Sequence, residues 1–260
     1  MFDPSKYTVA MPKPIPVILL LDVSGSMREV IDIENARRTG EFFFEDGQEW
    51  ERVEGGTMKL TLMNQAVSKM LDSFRKEVRR EVGFMLSIIT FGSQASVHTP
   101  PTDVTALEWK NFEAEGETAL GAALNLSKKM IEDKSIIPSR AYRPTIVLVS
   151  DGEPTDDWEE PMRRFVSEGR SSKCFCMAMG IGEADDNVLR KFISGTPTLA
   201  QSASGLIPNE VFHADDAEGI KDFFQRVTMS VTTRSRSANP NAVPESIPHS
   251  SEKESTGVYF

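Results

Sequence analysis

Residues 22–26 read Asp-Val-Ser-Gly-Ser and place one carboxyl and two hydroxyl groups directly after the apolar run 15–21. Carboxylate and hydroxyl oxygens are hard ligands. They suit Mg²⁺, which prefers oxygen ligands, keeps several waters and is bound by few carboxylates. Gly25 is expected to let the loop curl, so that both hydroxyls face one point. The segment alone is a weak signal, since Asp and Ser are common in turns.

Two distant residues extend this set of candidate ligands. Thr118 ends the segment Gly-Glu-Thr at 116–118, just before a predicted helix, and Asp151 follows the apolar run 147–149. In open α/β sheets, ligands bind beyond the carboxyl ends of the strands, where loops of this kind lie. The sequence therefore predicts one oxygen-rich cation site formed by three separate segments.

The set resembles the metal-ion-dependent adhesion site of von Willebrand factor type A domains, whose pattern is Asp-x-Ser-x-Ser, a distant Thr and a distant Asp-Gly turn. The resemblance implies that Ser24, Ser26 and Thr118 contact the cation through their hydroxyl oxygens. Asp22 and Asp151 would hold it directly or through water. The implied cation is Mg²⁺ or Mn²⁺, with one position open for a Glu or Asp of a partner protein.

The composition indicates which kinds of partner the protein binds and in which cellular compartment it is found. The 260 residues carry a formal net charge of −10, which disfavours nonspecific binding to nucleic acid. No apolar stretch approaches the ~20 residues of a membrane span, and the first residues lack the pattern of a signal peptide. Cys174 and Cys176 are expected to be buried free thiols, consistent with a reducing compartment. We therefore expect a cytoplasmic protein that binds neither nucleic acid nor membranes.

The apolar patterning predicts strands that alternate with helices. Strands are predicted at 16–22, 81–91, 95–104, 144–150, 174–181 and 211–214, and helices at 58–78, 120–131, 158–166, 186–193 and 217–231. Near-continuous apolar strands are typical of parallel sheets buried on both faces, while Pro100-Pro101 suits an edge strand. Together with this pattern, the resemblance implies an α/β, Rossmann-like, three-layer von Willebrand A fold. Its central sheet is mostly parallel, with helices on both faces and one antiparallel edge strand.

The domain is expected to span residues 1–232, although the resemblance itself covers about 12–232. Residues 233–260 contain six Ser and three Pro without apolar periodicity, which predicts a disordered tail. Within the loop after Asp151, Thr155 is assigned to loop geometry, and Asp156 is expected to cap the helix that follows.

Residues 29–57 form an insertion where related domains pass from the metal loop to the first helix within a few residues. Asp46-Gly47, between two halves containing aromatic residues, predicts a hairpin. Residues 41–56 hold six carboxylates and one Arg, so the hairpin is acidic. Aromatic residues dominate binding hot spots, and the insertion leaves the metal loop directly, so we expect it to dock a partner. The predicted partner contacts are Phe42, Phe43, Phe44, Trp50 and, beside Thr118, Glu117. The alternative is that Phe43 and Trp50 only pack the hairpin onto the domain.

The candidate ligands argue against catalysis. Haloacid-dehalogenase phosphatases carry the motif Asp-x-Asp-x-Thr. In this sequence Ser24 stands in place of the second Asp, which removes the acid/base partner. The sequence also lacks a Ser/His/Asp grouping, a Walker-type loop and a Cys/His pair. We expect a non-catalytic interaction module, with a metal-assisted hydrolase as a minor alternative.

Residues 13–27, 63–66 and 151–156 are similar to bacterial intracellular members of the family, including TerY-type proteins of tellurite-resistance and stress operons. This resemblance implies a scaffold for a Ser/Thr protein phosphatase and a protein kinase. The alternative is an adaptor that recruits substrates to a ring-forming AAA+ ATPase through the same metal site. An extracellular adhesin is disfavoured because the sequence shows no secretion signal.

Overall fold

The apolar run 15–21 forms most of strand β1 (Lys13–Asp22), which lies inside the central sheet. Val17, Leu19 and Leu21 pack into one helical layer, whereas Ile18 and Leu20 pack into the other. Successive side chains of a strand point to opposite faces, so a strand covered on both sides has to be apolar throughout.

The computed structural model describes residues 13–31, 35–45, 48–79, 82–194 and 210–241. The other strands are β2 (Ala36–Glu45), β3 (Gln48–Gly55), β4 (Val82–Phe91), β5 (Ala95–Asp103), β6 (Thr145–Ser150), β7 (Phe175–Ile181) and β8 (Phe212–Ala214). The helices are α1 (Lys59–Glu77), α2 (Leu120–Glu132), α3 (Glu159–Ser167), α4 (Asp186–Ser194) and α5 (Ala217–Arg236). Strands β2 and β3 belong to the predicted hairpin, for which no bounds were given. Apart from the end of α5, the other bounds lie within three residues of the predicted ones.

The six-stranded sheet has the order β5-β4-β1-β6-β7-β8. All neighbouring pairs are parallel except β4 and β5, which makes β5 the predicted antiparallel edge strand. Helices α1 and α5 cover one face, and α2, α3 and α4 cover the other. The predicted three-layer α/β fold is therefore confirmed.

Strand β4 pairs with β1 on one side, and β6, which comes later in the chain, pairs with β1 on the other side. The direction in which strands are added therefore reverses between β1 and β6. Leu21 of β1 lies beside Val149 of β6. The next residues of both strands, Asp22 and Ser150, therefore end at one edge of the sheet. Such a switch point is where doubly wound α/β folds form their ligand sites.

The insertion holds a separate two-stranded ribbon in which β2 pairs antiparallel with β3. Phe43 lies opposite Trp50, and the register slips between Arg38 and Phe42. The predicted turn residues, 46 and 47, lie outside the described residues. At its base, the ribbon is anchored by a bridge between Val30 and Met58.

Within the described ranges, no helix combines the length and the apolar character needed to cross a membrane. Cys174 and Cys176 are buried, and neither forms a disulfide, as expected. Burial and the neighbouring Cys176 raise the pKa of the Cys174 thiol well above its usual value.

Helix α5 extends past residue 232, the predicted end of the domain, to Arg236, and Arg234 is completely buried. Arg234 looks polar in sequence, but its side chain lies against the amino ends of β6 and β7. Of the predicted tail, residues 242–260 lie outside the described residues.

Arg234 joins the end of α5 to the start of β6. Its guanidinium donates to the Pro240 carbonyl at 2.9 Å, to Thr145 Oγ1 at 2.6 Å and to the Arg143 carbonyl at 2.6 Å. It also lies 4.2 Å from the ring centroid of Phe175. Burial, with a contribution from the Arg143 charge, lowers the pKa of Arg234 to about 9. Neutral acceptors and an aromatic face thus hold this buried cation.

We expect Arg234→Ala to lower the free energy of unfolding by about 3 kcal/mol, because it leaves buried acceptors without a donor. For a domain of this size, that corresponds to a fall in Tm of roughly 6–12 °C. Urea denaturation and thermal melts in chelator measure both values.

Arg236→Ala is the matched control. Arg236 lies on the same helix as Arg234, but its side chain pairs with Glu77 of α1 at the surface. We expect it to cost less than about 1 kcal/mol. Equal losses in the two variants would contradict the structural role assigned to Arg234.

Candidate metal centre

Asp22 is fully buried at the end of β1, and each of its carboxylate oxygens accepts a hydrogen bond. The Ser24 backbone N–H donates to Oδ1 at 2.9 Å, and Ser150 Oγ donates to Oδ2 at 2.7 Å. Ser150 did not emerge from the sequence as a site residue, although it directly precedes Asp151. It joins the two strand ends that carry the acidic residues.

The two predicted serine ligands connect Asp22 to Asp151. Ser24 Oγ and Ser26 Oγ lie 3.0 Å apart, and Ser26 Oγ donates to Asp151 Oδ1 at 2.8 Å. Ser26 is carried by the short 3₁₀ turn Gly25–Arg28. Four of the five predicted ligands therefore lie on one continuous chain of hydrogen bonds.

The loop ending in Thr118 forms the third side of the site. The Gly25 N–H donates to the Gly116 carbonyl at 2.8 Å, and the Arg28 guanidinium donates to the Ala114 carbonyl. The buried Thr118 exchanges two hydrogen bonds with Thr155: its N–H donates to Thr155 Oγ1, and the Thr155 N–H donates to its carbonyl. Backbone contacts thus fix all three segments against one another.

Gly116, rather than Gly25, has the backbone conformation that favours glycine, so the expectation that Gly25 makes the loop curl is wrong. Gly116 has a φ of +77°, which favours glycine, and a Cβ there would lie 1.9 Å from Ser93 Oγ. Gly25 is not among the glycines with positive φ, and a Cβ on it would make an ordinary contact. A short 3₁₀ turn brings the two serine hydroxyls together instead.

Asp156 caps a different helix from the predicted one. Its carboxylate accepts from the N–H groups of Gly121 and Ala122, both at 2.9 Å, at the start of α2. The expectation that it caps the following helix, α3, is wrong, because the loop after Asp151 folds back over α2 before α3 begins. Asp156 and Thr155 therefore both hold the Thr118 segment against the Asp151 loop.

Lys59 enters the site although the sequence did not predict it. Its Nζ donates to Asp151 Oδ2 at 2.9 Å and to Glu29 Oε2 at 2.5 Å, and its side chain is only 8% exposed. Burial opposes the lysine charge, but Asp151 and Glu29 more than offset it and raise the pKa of Lys59. In the sequence, the only indication that Lys59 belongs to the site is that it begins the helix next to the metal loop.

The electrostatics favour an added cation. Burial and the nearby Asp151 raise the pKa of Asp22 to about 7, although Ser24 and Ser150 oppose this shift by hydrogen bonding. Two buried carboxylates close to each other repel unless positive charge is supplied. A divalent cation would supply it, and the donor set of carboxylates and hydroxyls fits a hard ion.

Across the ranges that the structure describes, no group of three or more His, Cys, Asp or Glu side chains is arranged to hold a metal ion. Cation binding at this rim would therefore depend on the hydroxyls of Ser24, Ser26 and Thr118 in addition to the two carboxylates. Two of the five candidate ligands would carry charge, and the other three are neutral.

The predicted partner residues lie on the ribbon and on the Thr118 loop. Phe42 and Phe44 are 62% and 76% exposed, on the face of the ribbon opposite Phe43. Phe43 and Trp50 line a cavity of about 580 Å³, together with Gly25 of the metal loop. Glu117 is exposed beside Thr118. The structure thus places aromatic side chains on the same rim as the candidate ligands.

Comparison with solved structures supports the fold. The chain is 17% identical to a von Willebrand factor type A protein from Catenulispora acidiphila, with a TM-score of 0.54 over 85% of this chain and 43% of that one. It is 14% identical to proximal thread matrix protein 1 of the mussel byssus, solved with a zinc-occupied MIDAS motif. That match has a TM-score of 0.51 and covers 84% of this chain and 48% of the mussel chain. The chain therefore spans less than half the length of both proteins.

A search of curated proteins found no match to this chain. The family model for the von Willebrand factor type A domain matches residues 17–153, which is more than half of the 260 residues. The matched region begins in β1 and ends just after Asp151, so it contains all five candidate ligands. On this match, together with the three-layer fold, the chain belongs to the von Willebrand factor type A domain family.

Proposed function

We propose that this chain is a non-catalytic recognition module that binds a partner protein through a divalent cation, Mg²⁺ or Mn²⁺. The observation that carries the proposal is the hydrogen-bonded set of oxygen ligands at the ends of β1 and β6. The ligands would be Asp22, Ser24, Ser26, Thr118 and Asp151. Domains of this family commonly mediate metal-dependent protein interactions through such a motif.

The donor set determines what the site can recognise. A bound cation would supply a Lewis-acidic position for one further oxygen ligand. The hydroxyls of Ser24, Ser26 and Thr118 are neutral, so Asp22 and Asp151 are the only charged ligands among the five, and a Glu or Asp of the partner would add a further negatively charged oxygen. The related mussel protein has a zinc-occupied site, which supports a divalent cation here.

The ribbon would supply the second part of the partner surface. Exposed Phe42 and Phe44 offer large apolar contacts, and Phe43 and Trp50 line a cavity beside the metal loop. Glu117, which is exposed next to Thr118, would also contact the partner. A partner that fits this rim carries an acidic side chain for the cation and apolar side chains for the ribbon.

We further propose that the module works in the bacterial cytoplasm as a scaffold in a stress-response or defence system. The support is the resemblance of residues 13–27 and 151–156 to TerY-type proteins. Its partners would then be a Ser/Thr protein phosphatase and a protein kinase.

The cation site is tested by titrating Mg²⁺ into the metal-free protein and measuring the heat of binding. We expect Ser26→Ala and Asp22→Asn each to weaken Mg²⁺ binding by about tenfold or more, because each removes an oxygen ligand or its charge. Asp72→Asn, on the exposed surface of α1, is the control and should bind as the wild type does. Wild-type affinity in Ser26→Ala and Asp22→Asn would contradict the site.

The partner surface is tested by affinity capture from a bacterial lysate, with Mg²⁺ or with chelator. We expect the captured proteins to be lost on chelation and in Ser26→Ala, and an acidic segment of the partner to be needed for capture. A phosphatase and a kinase among them would support the stress-response scaffold, and an AAA+ ATPase would contradict it.

The ribbon is tested separately by the double variant Phe42→Ser and Phe44→Ser. Because both side chains are exposed and belong to no buried cluster, we expect Tm and Mg²⁺ affinity to be unchanged. Partner affinity should fall by about tenfold or more, as measured by surface plasmon resonance. Unchanged partner affinity would remove the ribbon from the proposed surface.

A further inference from the structure

Lys59 already places a positive charge against one of the candidate metal ligands. Its ammonium group lies 2.9 Å from Asp151 Oδ2, and the Asp151 side chain has no exposure to solvent. On its outer side, the same ammonium group lies 2.5 Å from Glu29 Oε2, and the Glu29 side chain is 47% exposed. Lys59 thus bridges a buried carboxylate of the site and a carboxylate at the surface.

Both oxygens of Asp151 are occupied in this arrangement. Ser26 Oγ donates to Oδ1, and Lys59 Nζ donates to Oδ2. A divalent cation that binds Asp151 therefore has to displace one of these donors or share the carboxylate with it. Sharing with the ammonium group brings two positive ions close together in a buried site, where little water screens their repulsion.

Glu29 provides a place for the displaced ammonium group. The Lys59 backbone N–H donates to the Glu29 carbonyl at 2.9 Å, which keeps the two residues adjacent whichever carboxylate the side chain pairs with. Only the side chain has to move, and it keeps one ion pair throughout.

The position of Lys59 is otherwise unfavourable. It is the first residue of α1, and a cation at the amino end of a helix is opposed by the helix dipole. Its side chain is also almost completely buried. Asp151 and Glu29 offset both costs, so the carboxylates of the site hold the lysine there.

We propose that Lys59 is a resident counter-ion of the metal site, which neutralises Asp151 in the metal-free protein and moves onto Glu29 when a divalent cation binds. The inference rests on the proposed function in taking Asp151 as a metal ligand. Its consequence is that a cation binding at Asp151 Oδ2 has to displace an existing ion pair, so the cation is held less tightly than its oxygen ligands alone would allow. A partner carboxylate, which adds negative charge beside the cation, would then favour the metal-bound state, so that metal and partner bind cooperatively.

The test is Lys59→Met, which keeps the length and apolar stem of the side chain but removes its charge. We expect Mg²⁺ to bind at least about tenfold more tightly than in the wild type, as measured by titration calorimetry. In chelator, Tm should be lower than in the wild type, and Mg²⁺ should raise it by more. Lys76→Met removes the same charge from an exposed position of α1 and should change none of these values.

Glu29→Gln tests the inference without removing the lysine. It leaves Lys59 on Asp151 but takes away the carboxylate that would receive it, so we expect Mg²⁺ to bind several-fold more weakly. This variant also answers the question if Lys59→Met does not fold.

Mg²⁺ affinity in Lys59→Met that equals or falls below the wild-type value would overturn the inference, as would wild-type affinity in Glu29→Gln. The proposed function fails separately, if the wild type binds no divalent cation. In that case, Mg²⁺ binding gained in Lys59→Met still supports the counter-ion role. If neither the wild type nor Lys59→Met binds Mg²⁺, the inference is overturned.

Discussion

Two carboxylates lie buried at the ends of neighbouring parallel strands, and the other polar contacts of this site compensate their charge. Asp22 and Asp151 lie at the switch point of the sheet, where little water reaches them. Their negative charges have to be met by local donors, because unpaired buried charge is costly. Backbone N–H groups, serine hydroxyls and the ammonium group of Lys59 meet them in the metal-free protein.

The same donors are what a cation would use or displace. The hydroxyls of Ser24 and Ser26 can turn their lone pairs to a metal ion, whereas the ammonium group of Lys59 can only leave. The site is thus rigid in its backbone, held by hydrogen bonds such as Gly25 to Gly116, and adjustable in its side chains. A site of this kind suits a recognition module in which a cation and a partner carboxylate arrive together.

In the proposed function, the ribbon would add contact area that the metal site alone would not provide. One metal–carboxylate contact covers little surface, and apolar contacts carry much of the affinity of protein interfaces. Phe42 and Phe44 lie on an element that is anchored directly after the metal loop, through the bridge of Val30 to Met58. The insertion thus extends the metal rim into a larger surface.

Apolar periodicity predicts the sheet and its two helical layers, and the spacing of Asp22, Ser24 and Ser26 predicts the candidate ligands of one loop, because both are local properties of the chain. Thr118 and Asp151 join that set through the family resemblance. The roles of Lys59, Ser150 and Asp156, and the end of α5, depend instead on contacts between distant segments. Lys59 meets Asp151 across 92 residues, and Arg234 meets Thr145 across 89. Each is a charged residue whose burial is stabilised by a partner that is distant along the chain, and the sequence around it contains no sign of that partner.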